Sequence, residues 1–247
     1  MPLSKNEIKF IRSLQQKKNR DRESLFIVEG VKLVKELLSQ NKYKIKKIYC
    51  TDKVNLKFNF DLLPYSITTK ELKQISSLKT PNQTLAVVHK NTTDQIDLDT
   101  PNLSLMLDDI KDPGNLGTII RTADWFGVQQ IICSSESVDI YNPKVIQSTM
   151  GAIFRVNVFY KKLSTVISRF SKANFEILTA DMDGENALNK AYKKKSVLIM
   201  GSESHGISED ISKLSQAITI PSYGKTESLN VAIASSIICS CYVKINR

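Results

Sequence analysis

The stretch ITIPSYGKTESLNVAIASSI, residues 218–237, sets Glu227, Ser228 and Asn230 at the mouth of an otherwise uncharged apolar segment. A carboxylate, a hydroxyl and an amide within four positions offer both donors and acceptors to a ligand or a loop. Two other stretches share this design. In DDIKDPGNLGTIIRTADWFG, residues 108–127, Pro113, Gly114 and Gly117 make a turn into a helix that carries Asn115 and Arg121. In VLIMGSESHGIS, residues 197–208, four apolar residues end at Gly201, and Glu203 and Gly206 follow. Glycine at a strand end lets a ligand approach the backbone closely. Neither stretch is a familiar phosphate loop, since GxGxxG and Gly-Lys-Ser/Thr are both absent. Taken singly, each has a plain structural reading: a turn with a surface arginine, a loop carboxylate, and a helix N-cap supplied by Ser228. The two histidines, His89 and His205, read as a strand-end and a loop residue.

The elements around these stretches say where they must lie. LSLMLDDI, VQQIICSS, FRVNVFY, FEILTAD, SVLIMGSE and QAITIPS are apolar strands, with helical patterns between most of them. That alternation predicts a mostly parallel sheet covered on both faces. Open parallel sheets bind ligands beyond the carboxyl ends of their strands, where all three stretches fall. Before this series the pattern differs. Residues 3–18 read as one basic helix with Ile8, Ile11 and Leu14 at helical spacing. FIVEG (26–30), IKKIYCT (45–51) and TLAVVHK (84–90) read as strands, VKLVKELLSQ (31–40) as an amphipathic helix, and SITTKELKQISSL as a helix behind Thr68 or Thr69. Together they predict a small α/β sandwich. The polar run NTTDQIDLDTPN, 91–102, is the linker candidate. The expected domains are therefore 1–92, a linker at 93–102, and 103–247.

Charge divides the chain at the same place. Residues 1–100 hold 19 Lys/Arg against 11 Asp/Glu, a balance of +8, and residues 101–247 hold 16 against 14. A surplus concentrated in one part points to a polyanion partner for that part, most often nucleic acid. Cys50, Cys133, Cys239 and Cys241 form no metal-like or disulfide-like spacing and read as reduced core thiols. MPLSKNEIKF lacks the apolar stretch of a signal peptide, and no apolar run reaches the ~20 residues of a membrane span. The expectation is a cytoplasmic protein with no membrane partner.

The three stretches, in this order, resemble the three signature motifs of the SpoU (TrmH) family of RNA ribose 2′-O-methyltransferases: DPGNLGTIIRTADWFG, LIMGSESHGIS and ITIPSYGKTESLN. The resemblance runs from about residue 103 to the C-terminus. SLQQKKNRDRESLFIVEGVKLVKELL resembles the substrate-binding domain often fused in front of that catalytic domain. Ser204 stands where the family commonly has glycine, and Ser222 where methionine is frequent.

The resemblance implies a parallel-sheet catalytic domain whose C-terminal segment forms a trefoil knot, an exception to the usual rules of chain connection. It implies S-adenosylmethionine as methyl donor, held by backbone of Gly201, Ile220 and Leu229, with no metal required. Asn115, Arg121, Glu203, Ser228 and Asn230 would form the catalytic set. Arg121 is either the base, which demands a large departure from a guanidinium pKa above ~12, or a fork of donors on a neighbouring phosphate. Asn115 and Asn230 would fix loops or the ribose, and Glu203 would orient Arg121 or Asn230. Arg12, Lys17, Lys18, Arg20 and Arg22 would contact RNA phosphates. The family also implies a homodimer with the site completed from both chains, and ribosomal RNA as target. Transfer RNA, a catalytically silent ribosome-assembly factor and base methylation are the alternatives.

Overall fold

The computed structural model describes residues 2–52, 63–91, 95–100, 102–202 and 205–246. Two compact units emerge, one of Met1–Thr92 with Asp139–Phe154, the other of Thr93–Val138 with Arg155–Arg247. Among the described residues no helix is long and apolar enough to cross a membrane.

In the first unit, β1 (Leu25–Glu29), β4 (Thr84–His89), β2 (Ile45–Cys50) and β3 (Tyr65–Ser66) lie side by side in that order. β4 runs antiparallel to both β1 and β2. Helices α1 (Lys5–Ser13), α2 (Lys17–Glu23), α3 (Val31–Ser39) and α4 (Thr69–Ile75) belong to the same unit. Ile11 and Leu14 sink into a core with Leu25, Ile27, Leu72, Ile75, Leu85 and Val87. α4 starts where a capping residue was expected: Thr68 accepts from the Glu71 backbone and Glu71 returns a bond to Thr68. Asp139–Phe154, far along the chain, belongs here because Tyr141 and Phe154 pack with Phe26 and Tyr43, Phe26 facing away from that core along β1. The rings of Phe26 and Tyr141 stand 4.5 Å apart, and Gln147 donates to the carbonyl of Glu29 at 2.9 Å.

The expected single basic helix over residues 3–18 is two helices, and Arg20 is the reason. A helix end frees carbonyls that need donors. Arg20 Nη1 donates to the carbonyls of Leu14 (3.0 Å) and Gln15 (2.7 Å), stabilising the break between α1 and α2. Its Nε and Nη2 donate to Asp139 Oδ2 at 3.0 and 2.7 Å. Arg20 is only 2% exposed.

The second unit is built on β10 (Gln216–Thr219), β8 (Glu176–Asn186), β9 (Ser196–Met200), β5 (Leu103–Leu107), β6 (Gln130–Cys133) and β7 (Asn157–Tyr160), adjacent in that order. Every pairing is parallel. Five of the six strands fall inside the segments expected to hold them, while β8 starts within FEILTAD (175–181) and runs five residues beyond it; β5, β6 and β9 are buried throughout. Complete burial explains why they read as continuous apolar runs rather than alternating ones. Helices α5 (Pro113–Trp125), α7 (Leu163–Lys172) and α9 (Val231–Asn246) are the long ones here, and α8 (Glu209–Ser212) is a single turn. α6 (Pro143–Ser148) and a 3₁₀ turn at Ala152–Phe154 belong to the first unit. The polar run read as a linker is anchored: Ile96 lies in the core with Phe159, Phe170 and Val197, and Gln130 donates to the carbonyl of Asp97 at 2.7 Å.

All four thiols are raised by burial, Cys50 to about 11 and Cys239 to about 12, so they behave as core side chains. Removing Asp139 strands the buried Arg20 cation. Asp139→Ala is expected to lower stability by about 3–5 kcal/mol, measured as a fall in denaturant midpoint. A loss under about 1 kcal/mol, the scale of a surface bridge, would refute this account of the α1–α2 break.

Candidate functional site

A cavity of about 740 Å³ opens at the carboxyl ends of β8, β9 and β10, which are neighbours in the sheet. That volume lies within the range of small-molecule sites, ~300–1,000 Å³. Ile218, Val231, Ala234 and Ile238 supply apolar wall, and Asp181 and Glu227 are carboxylates on its lining. Gly201, Ile220, Leu229 and Ser228, each singled out from sequence, all line it.

Each wall has a local cause. After β9 the chain turns sharply, and Ser202 and Gly206 exchange backbone hydrogen bonds of 3.0 and 2.9 Å. Gly206 is held so close to the strand end that a Cβ on Gly201 would stand 2.3 Å from the Gly206 carbonyl oxygen. Asp108, at the end of β5, steadies the loop by accepting from the Ser208 backbone at 3.0 Å. Glu203 and the departure at Ser204 lie outside the described residues. His205 is exposed, in agreement with a loop reading.

β8 forms a second wall through a broken register. It pairs with β10 at Ala217↔Thr179 and resumes at Ile218↔Glu185, so residues 180–184 bulge out. Ala180, Asp181 and Met182 thereby reach the cavity. Gly184 permits this, because a Cβ there would meet the Ala217 carbonyl carbon at 2.6 Å. Buried Lys190 spans the bulge, bonding Glu176 (3.2 Å) and Glu185 (2.9 Å) from either side. Burial opposes its charge, yet the two carboxylates hold its pKa above the usual lysine range. Sequence reasoning missed Asp108, Asp181 and Lys190. The first two had a signal, an acid at the end of an apolar strand, whereas nothing in the sequence marks Lys190.

The third wall is the segment 220–229, between β10 and α9. Here the structure corrects one expectation. Asn230, not Ser228, caps α9: its Oδ1 accepts from the backbone of Ala232 (2.9 Å) and Ile233 (3.4 Å). Ser228 stands two residues before the cap and is left to the cavity. The amide of Asn230 donates from Nδ2 to Asn115 Oδ1 at 3.0 Å. Asn115 sits in the first turn of α5, whose cap is Asp112 and whose first residue is Pro113. One side-chain bond thus joins the first and third stretches, and a Thr122–Ser236 hydroxyl contact of 3.0 Å repeats the link further along the two helices.

Arg121 does not join this cluster. It is exposed on α5, lines no part of the cavity, and makes no hydrogen bond or ion pair among the described residues. Trp125, one turn later, is 83% exposed, and Ile233 on α9 is 54% exposed.

The five cations expected to contact RNA divide. Arg12 and Lys18 are exposed without ion pairs among the described residues. Lys17 pairs with Asp21 at 2.8 Å, and Arg22 with Glu23 at 2.8 Å. Arg20 is excluded from RNA contact because it is buried and all its bonds serve the fold.

Comparison with known proteins agrees with this geometry. Residues 102–240 match the SpoU rRNA Methylase family, and residues 5–86 match the MRM3-like substrate binding domain. The chain is 29% identical over 240 residues to the 23S rRNA (guanosine(2553)-2′-O)-methyltransferase RlmP of Bacillus subtilis, covering 95% of each chain. It superposes on a putative RNA methyltransferase of the TrmH family from Porphyromonas gingivalis with a TM-score of 0.88 and 35% identity, covering 98% of each. An AdoMet-bound rRNA methyltransferase from Sinorhizobium meliloti gives a TM-score of 0.86 at 27% identity, over 99% of this chain and 96% of that one.

The close approach at Gly201 supplies a test. Gly201→Ala is expected to push the 202–206 hairpin off the strand end and to weaken S-adenosylmethionine binding at least about tenfold, ~1.4 kcal/mol, by calorimetry. Unchanged affinity would show that a methyl donor does not bind against Gly201.

Proposed function

The chain belongs to the SpoU rRNA Methylase family, and on that footing we propose that it transfers a methyl group from S-adenosylmethionine to a ribose 2′-hydroxyl of ribosomal RNA. The observation that carries this reading is the meeting, at one cavity, of the second and third motifs, with the Asn115–Asn230 bond tying the first motif to them.

The cavity's chemistry fits the donor. Backbone at Gly201, Ile220 and Leu229 can read an adenine edge, while Asp181 and Glu227 suit a ligand that carries positive charge. When bound, the donor supplies a methyl already activated by a positive sulfur, so the protein's task is alignment and proton removal. Ser228 lines the cavity, and the Asn115–Asn230 bond holds the loop that would face the ribose. The residues around the cavity would hold the donor with its methyl facing the ribose 2′-hydroxyl, whose proton would leave to a base, a phosphate oxygen or water while the donor departs as a neutral thioether. Arg121 is assigned to grip a phosphate, because its exposed guanidinium presents a planar fork of donors. Glu203 completes the proposed catalytic set. In domain terms, residues 1–92 bind RNA and residues 103–247, apart from the Asp139–Phe154 segment that joins the first unit, carry the transfer, with the C-terminal segment threaded as a trefoil knot.

Two exposed features support a homodimer. Trp125 and Ile233 present apolar surface on α5 and α9. We assign Arg121, one turn before Trp125 and absent from the lining of its own chain's cavity, to the cavity of a second copy.

Labelled S-adenosylmethionine with RNA from cells lacking the gene is expected to leave its label in 2′-O-methyl nucleosides of ribosomal size. RNA binding without label would instead indicate a silent assembly factor, and label in transfer RNA would redirect the substrate. The shared site is tested by mixing two inactive variants. Arg121→Ala and Gly201→Ala dimers, dissociated and reassembled together, should regain part of the activity, since one mixed site then holds both wild-type residues. No recovery despite confirmed mixing would place Arg121 at its own chain's site.

A further inference from the structure

The outward face of α1 carries three cations whose positions match no need of the fold. Lys5, Lys9 and Arg12 recur at intervals of four and three residues, so they form one stripe along the helix. All three are exposed, and none has an ion pair among the described residues. The opposite face holds Ile11 and Leu14, both fully buried. Glu7, the acid of this helix, is turned away from the stripe. It takes the Lys47 ammonium at 2.6 Å and the Tyr49 hydroxyl at 2.7 Å. Burial works against its charge, yet the Lys47 and Tyr49 hydrogen bonds hold its pKa below the usual carboxylate range.

On the flank of α1, Lys46 of β2 is exposed and sits 4.9 Å from the centre of the Phe10 ring. Its neighbour Lys47 is consumed by Glu7, so the two adjacent lysines have different employment. A cation held over a ring gains order without losing its charge. The same division runs through the rest of the basic N-terminal part. Arg20 pairs with Asp139 and Arg22 with Glu23, while Lys17 and Lys90 share the single carboxylate of Asp21 and Lys18 is exposed without an ion pair among the described residues. The sequence counts all these cations alike, but only an uncompensated cation releases counterions from a polyanion on binding.

We propose that Lys5, Lys9 and Arg12, extended by Lys46, are the surface along which the N-terminal unit grips the phosphate backbone of RNA. This inference rests on the reading that the protein acts on RNA, and it locates the grip on α1 rather than on the Lys17–Arg22 cluster. RNA is favoured over a membrane surface because the apolar face of α1 is spent in the core, leaving nothing to insert beside the charges. The contacts are to phosphates, so they set affinity and register while leaving the choice of nucleotide to other groups.

The test compares two full-length variants that lose the same charge. The stripe variant carries Lys5→Gln, Lys9→Gln, Arg12→Gln and Lys46→Gln. The control carries Lys162→Gln, Arg169→Gln, Lys172→Gln and Lys213→Gln in the second unit. Binding of labelled ribosomal RNA is followed by filter retention between about 50 and about 200 mM salt, and S-adenosylmethionine binding is measured on each protein. The stripe variant is expected to bind the donor normally, to lose at least about tenfold in RNA affinity, and to show a log–log salt slope shallower by about 3. The control should keep the wild-type slope. Equal losses in both variants would reduce the effect to net charge and overturn the assignment. So would an unchanged stripe variant, or one that loses binding only to vesicles of anionic phospholipid. If wild-type protein binds S-adenosylmethionine yet no RNA, this inference falls together with the RNA reading. If wild type binds RNA and the stripe variant matches it, the inference alone falls.

Discussion

Six parallel strands place all their carboxyl ends on one edge of a sheet, and every functional feature of the second unit depends on that constraint. Residues 107, 182, 201 and 220 are distant along the chain, yet parallel pairing delivers each to the same rim. The cavity forms there because two strands end in departures from regular structure. β9 stops at a glycine over which a hairpin closes, and β8 leaves the ladder for five residues. Both departures depend on glycine for close backbone approach and on charged groups for anchorage, Asp108 in one case and Lys190 in the other. The polar residues around the cavity therefore have a double task. Asn230 terminates a helix and holds Asn115 with the same amide, so the cap that starts α9 also fixes the distance between α5 and the third loop.

In the first unit the organising problem is charge. A surplus of cations on a small domain repels itself unless acids are interposed or the cations are spread over the surface. The fold sorts them. Arg20 goes inside, where it mends a helix break and meets Asp139 from a remote segment. Lys17, Arg22, Lys47 and Lys90 meet acids at the surface, bridges that contribute little stability individually. What remains unpaired on α1 is a coherent row.

The strands of the second unit were legible because full burial imposes an uninterrupted apolar run, and the capped start of α4 because Thr68 and Glu71 stand three residues apart. The break at residues 14–16 was not legible. Its cause is a guanidinium six residues on, held by an aspartate 119 residues away. The same gap hid the true cap of α9. Ser228 and Asn230 are both good capping types, and only the direction in which the chain enters the helix decides between them.

The resemblance to the SpoU motifs named Gly201, Ile220 and Leu229, which with Ser228 line one cavity, whereas residue types, their order and their spacing by themselves determined the parallel-sheet class and the three loops at its strand ends. Those features follow from local pattern and from the single-edge geometry of parallel sheets. The employment of each charge was decided only by tertiary structure. Whether a lysine or arginine is buried, paired or free depends on which carboxylates folding brings within about 4 Å, where Coulomb attraction and hydrogen bonding outweigh hydration. Arg20 and Arg12 are indistinguishable in the sequence, and folding makes one a strut and leaves the other facing water.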